Sequence, residues 1–236
     1  MILVADLDSV AYACGSLPSA AAAYRRAKEW VESIRQAVPH DQWYGFLEHP
    51  TMKCQFRRHL AVTRPYKGNR NREKPPYMAV VKEYLVAKHG CTWVHYMESE
   101  DAAAIVANEK GYSNSTIACI DKDLYQIPTN FYDYRTNQSF TIDQESADRH
   151  LYQQVLTGDS TDNIPGLDGV GPAKASAILG TDSNQWLHNT IAAYLNSGKS
   201  YEYLLEQSRL VYIIRKRNEV YTICSREQFA SSGNDE

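Results

Sequence analysis

Four groups of carboxylates punctuate the sequence: Asp6 with Asp8, Glu98-Ser99-Glu100-Asp101, Asp121-Lys122-Asp123 and Asp159-Ser160-Thr161-Asp162. Glu98 and Asp101 are three residues apart, as are Asp159 and Asp162, a spacing that puts both acids on one side of a helical turn. Any one group has a local role open to it, since Asp and Glu cap helix N-termini and complement the macrodipole. Brought together, the four would repel one another unless cations neutralised them. The five cysteines (14, 54, 91, 119, 224) form no CxxC pair and the seven histidines no HExxH. Hard oxygen donors of this kind suit Mg²⁺ or Mn²⁺ rather than zinc. Two such ions about 4 Å apart stabilise the attacking and leaving oxygens of a phosphodiester.

Cations and glycines sit where such chemistry needs them. Between Lys53 and Lys74 eight cations, Arg72 among them, face the single acid Glu73, a local charge of +7; between Tyr96 and Asp123 the local charge is −4. Either run alone reads as readily as a solvated surface. Opposite fields in one small protein fit a basic strip that holds a polyanion and acids that hold the ions attacking it. Within the strip, Tyr66-Lys67-Gly68-Asn69-Arg70 offers Lys67 and Arg70 to a scissile phosphate and Tyr66 to a base. Gly166 to Lys174, with Gly169, Gly171, Pro172 and Lys174, reads as a glycine turn opening a helix whose free N–H groups meet a phosphate; taken alone it is also simply a turn.

These residues need a scaffold, and the chain has one. Its 236 residues, 43% of them hydrophobic, suffice for a sizeable core with a small satellite. No apolar run approaches the ~18 residues of a membrane span. The opening Met1–Ala5 run stops at Asp6, too short for a secretory core, and the unpaired cysteines fit a reducing cytoplasm. A net charge of −3 on its face argues against a nucleic-acid partner. Strands are expected at 2–5, 42–47, 92–96 and 115–120, with a hairpin at 131–134 and 139–142. Helices are expected at 20–38, 77–88, 100–109, 143–156, 173–179, 184–196 and 200–217, residues 48–76 as a loop or mobile helical insertion, and a frayed tail from 230. Strands alternating with helices predict an α/β fold on a mostly parallel sheet, with the last third a smaller helical unit. In such sheets the ligand lies beyond the carboxyl ends of the strands, where Asp6, Glu98 and Asp121 fall.

In this order the motifs resemble the 5′-nuclease family of flap endonucleases and 5′→3′ exonucleases, most nearly the exonucleases of tailed bacteriophages. They are the strand ending in Asp6 with Tyr12 beyond, Tyr66–Arg70, Glu98–Asp101, Asp121–Asp123, and Gly158 through Gly166 into Lys174. The resemblance implies a central flap-endonuclease/PIN-like sheet in a nuclease domain over 1–156, a helical arch at about 48–76, and a helical helix-three-turn-helix region for duplex DNA over 157–236. It implies that Asp6, Glu98, Glu100, Asp101, Asp121, Asp123, Asp159 and Asp162 hold two Mg²⁺ ions, with Mn²⁺ as substitute. Lys67 and Arg70 would be the catalytic cations. Tyr66, Arg72, Gly169, Gly171 and Lys174 would contact DNA, with K⁺ at the turn. The family has Asp where Glu100 stands, and after the second strand only Glu48 is offered.

The expected activity is metal-dependent hydrolysis at or near 5′ ends of duplex, gapped or flapped DNA, or of RNA in hybrids. The expected protein is a monomer, cytoplasmic (in the host cytoplasm if phage-encoded), with neither a membrane nor a small molecule as partner. A PIN-type ribonuclease shares the acids but does not need the 166–174 turn. A non-catalytic DNA-binding protein needs the strip and turn but not the acids.

Overall fold

Ile2–Asp6 alternates its side chains between two cores: Leu3 and Ala5 enter one, Ile2 and Val4 the other. A strand buried on both faces belongs in the middle of a parallel sheet. In the computed structural model, which describes residues 1–71 and 73–232, it does. The elements in chain order are β1 (Ile2–Asp6), α1 (Asp8–Gly15), α2 (Ala20–Ala37), β2 (Gln42–Glu48), α3 (Phe56–Leu60), α4 (Met78–His89), β3 (Cys91–Val94) and α5 (Ser99–Lys110). They continue with β4 (Ser115–Ala118), β5 (Asn130–Asp133), β6 (Gln138–Thr141), α6 (Gln144–Thr157), α7 (Pro172–Leu179), α8 (Trp186–Asn196), α9 (Tyr201–Val211) and α10 (Arg226–Ser231). The chain divides into two compact units, one from residues 1–55, 72–143 and 213–218, the other from 56–71, 144–212 and 219–236. Residues 56–71 and α6 group with the helical unit.

In the first unit the sheet order is β3-β2-β1-β4-β5-β6, parallel from β3 to β5 and closed by an antiparallel hairpin. Helices α1, α2 and α4 cover one face through Val10, Ala27, Val31, Val81 and Leu85. Helix α5 covers the other through Ala103, Ala104 and Ala107, small residues that let it lie close. The chain steps outward from β1 to β3, then crosses by α5 to start again at β4. The reversal between β1 and β4 leaves a crevice at their carboxyl ends, the standard ligand position in open α/β sheets.

The second unit is helical, with Leu156, Leu179, Trp186, Tyr194 and Leu204 among its buried core. The helix expected over 200–217 stops at Val211, and Tyr212 is extended. The reason lies in the next two backbone N–H groups. Ile213 donates to Gln126 Oε1 at 3.2 Å and Ile214 to Asp101 Oδ1 at 3.0 Å, so those N–H groups serve the first unit. No helix among the described residues is long and apolar enough to cross a membrane.

Candidate active site

Asp6 ends β1 and is 2% exposed. Ala5 pairs with Ala118, so Asp121, three residues past β4, comes out on the other side of the crevice. Burial, then the charge of Asp8 and in smaller measure that of Asp121, pushes the Asp6 carboxyl up to about 7, against the Ser99 hydroxyl and the Asp8 N–H. Cys119 lies in the same field. Burial and then Asp6, Asp121, Asp133 and Glu100 hold its thiol well above the usual range. Asp6 thus feels the charges of Asp8 and Asp121, and the Cys119 thiol those of Asp6, Asp121, Asp133 and Glu100. Asp133 was not expected; nothing in its sequence context distinguishes it from an ordinary hairpin acid.

The capping roles open to these acids are also filled. Glu98 and Asp101 form a reciprocal capping box at the start of α5, and Asp121 accepts Asp123 N at 3.0 Å. Asp101, fully buried, accepts Glu98 N on Oδ2 at 3.2 Å and Ile214 N on Oδ1 at 3.0 Å. With each oxygen on a backbone N–H group it holds chain in place. Asp8 is likewise committed: its Oδ1 meets Lys82 Nζ at 2.7 Å and Glu48 N at 3.1 Å. Lys82, 5% exposed, also donates to the Glu48 carbonyl at 3.0 Å. Lys82 was not singled out in the sequence, where nothing local sets it apart from Lys88 in the same helix.

By donor chemistry the crevice fits a divalent ion. Asp6 and Asp121 offer hard carboxylate oxygens there, and a bound cation would relieve the repulsion that burdens Asp6. Among the described residues no three His, Cys, Asp or Glu side chains converge closely enough to hold a metal ion as they stand.

The remaining predicted residues are in the second unit, where the basic segment docks on the 159–163 loop. Asp162, 8% exposed, accepts the Tyr66 hydroxyl at 2.6 Å, lies 3.4 Å from Lys67 Nζ, and is hydrogen-bonded by the Arg70 guanidinium. Backbone and amide bonds reinforce the contact: Lys67 N to Asp162 O at 2.8 Å, Asn69 Nδ2 to Ser160 O at 2.7 Å and Asn163 Nδ2 to Pro65 O at 2.9 Å. Tyr66, expected to stack on a base, is instead 4% exposed with its ring in the core. The alternation of charged neighbours hid a core position. Of the two cations, Lys67 is the more enclosed, its side chain 15% exposed against 48% for Arg70. Asp159 accepts Thr161 N at 2.7 Å. Arg72 lies outside the described residues.

Where the turn begins, at Gly166, the backbone has no room for a side chain. Gly158 and Gly166 both have positive φ, and a Cβ on Gly166 would lie 2.3 Å from Gly158 N. Gly169 also has φ +70 in open space, whereas Gly171, at φ −92, is the extended N-cap before Pro172. Gly169, Gly171 and Lys174 are exposed. The N–H groups of Ala173 and Lys174 fall in the first turn of α7, where a helix has no acceptor of its own to offer.

No family model matches the chain. It is 29% identical over 129 residues to DNA polymerase I of Rhizobium leguminosarum, a match covering 48% of this chain and spanning 13% of that protein's length. Among solved structures it is similar to the bacteriophage T5 flap endonuclease in a pseudo-enzyme-product complex with DNA and metal ions, with a TM-score of 0.63 and 16% identity over 89% of this chain and 88% of that one. It is similar also to the T5 5′-exonuclease with bound divalent zinc ions, with a TM-score of 0.65 at the same identity and coverage. The chain has the fold of the bacteriophage T5 5′-exonuclease and flap endonuclease structures.

Proposed function

We propose that this protein is a divalent-metal-dependent 5′-nuclease, hydrolysing phosphodiesters at or near the 5′ ends of duplex, gapped or flapped DNA and leaving 5′-phosphates. One observation carries the reading: mutually repelling carboxylates gather at the carboxyl ends of β1 and β4, on a fold shared with nucleases solved with DNA and metal ions. Asp6, Glu98, Glu100, Asp101, Asp121 and Asp123 would hold Mg²⁺ in the first unit, with Asp159 and Asp162 as acids of the second. Bound ions would supply Lewis-acid activation of the attacking water and of the leaving oxygen.

The chain's own residues do the rest. Asp101 fixes Glu98 and Ile214 by accepting their N–H groups. Lys82 neutralises Asp8 and secures the end of β2. Lys67 and Arg70 present positive charge beside Asp162, and Arg70 is open enough to turn to a phosphate. The first turn of α7, with Lys174, offers N–H groups and a cation to the duplex backbone, contacts that position without reading sequence.

The test is a cleavage assay on 5′-labelled duplex, gapped and flap DNA and on single-stranded RNA, each with Mg²⁺ or EDTA. Metal-dependent release from DNA ends is expected, with an Asp121→Asn variant slowed by about 100-fold or more. Wild-type rates in that variant, or cleavage confined to single-stranded RNA, would overturn the reading.

A further inference from the structure

Helix α9 devotes one face to the segments bearing the proposed phosphate-binding groups. Tyr203, Glu206, Gln207 and Leu210 recur at the spacing of a single helical stripe. Glu206, 7% exposed, accepts three hydrogen bonds from the start of the cation-bearing segment. Val62 N and Thr63 N reach its Oε1, each at 2.8 Å, and Thr63 Oγ1 reaches its Oε2 at 2.5 Å. Arg57, 1% exposed, ties the same segment to the far end of the helix through Nε to Leu210 O at 3.2 Å and Nη2 to Tyr212 O at 2.8 Å.

One step along the stripe the helix holds the glycine turn. Gln207 Oε1 accepts Gly166 N at 3.0 Å, and the Tyr203 hydroxyl donates to Gly166 O at 2.8 Å. A buried carboxylate holding two successive backbone N–H groups in a non-helical stretch is far more specific than a surface contact. Only Arg64 and Pro65 separate Thr63 from Tyr66 and Lys67, and the proline stiffens that link. Lys67 itself has φ +56, a conformation a lysine keeps only when its surroundings impose it.

We infer that Glu206 is a positioning residue: by gripping Val62 and Thr63 it sets where Lys67 and Arg70 stand relative to the glycine turn held on the same helix. The inference rests on the proposed reading of Lys67 and Arg70 as the phosphate cations. Glu206 touches no substrate; it acts through them. Arg57 anchors the segment's first turn to the same end, and the Thr63 hydroxyl is the contact that can be removed most gently.

The test is a double-mutant cycle on Mg²⁺-dependent cleavage of a flap substrate. Glu206→Ala is expected to lower kcat by about tenfold with KM nearly unchanged, and Glu206→Gln, which keeps an acceptor for the two N–H groups, to recover most of it. In a Lys67→Ala/Arg70→Ala background the Glu206→Ala effect should shrink to near nothing, because coupled residues are non-additive. If Glu206→Ala does not fold, Thr63→Val is carried through the same cycle with the same expectation. Full multiplicative loss in the cation-free background, or no recovery with Glu206→Gln, would overturn the inference while leaving the nuclease reading intact. A wild-type protein without metal-dependent cleavage would overturn both.

Discussion

At Asp6, burial and the charges of Asp8 and Asp121 act in one direction, and the consequence is measurable without substrate. An acid whose folded value lies above its unfolded value near 3.9 holds more protons folded than unfolded between the two. Stability of the metal-free protein should therefore fall as pH rises from about 4 to about 7, then level. Each tenfold change in proton affinity is worth about 1.4 kcal/mol, so Asp6→Asn should stabilise the metal-free protein at pH 8 by at least about 1 kcal/mol while abolishing cleavage. Thermal unfolding in EDTA at pH 5 and pH 8 reads the slope; a variant that keeps the wild-type slope would refute it. Mg²⁺ should raise the wild-type Tm and leave the variant's nearly unmoved. At this scale the sequence was informative about the kind of residue and less so about its commitments. Asp6 and Asp121 are where the strand ends implied. That Tyr66 is a core residue, and that Asp101 spends both oxygens on backbone, depends on partners about 100 residues away in sequence, which no local spacing reveals.

The elements were legible wherever the apolar pattern is strong. β1 and α2 follow their apolar pattern, and Gly90 ends α4 in a left-handed cap as expected. Helix α1 was missed because Asp8–Gly15, with Ser and Gly, lacks strong propensity; Val10, Ala11 and Cys14 pack it against the sheet nonetheless. The segment expected at 48–76 as a loop or mobile helical insertion divides between the units, and its 56–71 part is held by Arg57, Glu206 and Asp162. Glycine placement predicts where the turn is rigid. Gly166→Ala meets both a positive φ and Gly158 N at 2.3 Å and should cost about 3 kcal/mol or more, beyond the 1–2 kcal/mol of a left-handed residue alone. Gly169→Ala should cost only about the latter, and Gly171→Ala less, about 1 kcal/mol for the poorer N-cap. Equilibrium urea unfolding of the three variants checks the order, and a Gly171→Ala loss matching that of Gly166→Ala would contradict it.

For the molecule as a whole the net charge of −3 misleads, because it averages a +7 segment with acids that repel one another at the sheet ends. Counted with two divalent ions, the sum would be about +1. Duplex binding should then weaken steeply with salt. Lys174→Ala should weaken it about equally for all sequences and reduce the slope of log affinity against log salt by about one, as fluorescence anisotropy between low and moderate salt would record. An unchanged slope would remove Lys174 from the contact surface.

Residues 213–218 add an order in time. A chain leaving the ribosome has all six strands of the sheet once Thr141 is made, yet Gln126 and Asp101 still lack Ile213 and Ile214. Those partners emerge only after the helices from α6 to α9. The 213–218 segment is therefore the last part of its unit to be made during synthesis, later than the helices that the cation-bearing segment and the glycine turn rely on.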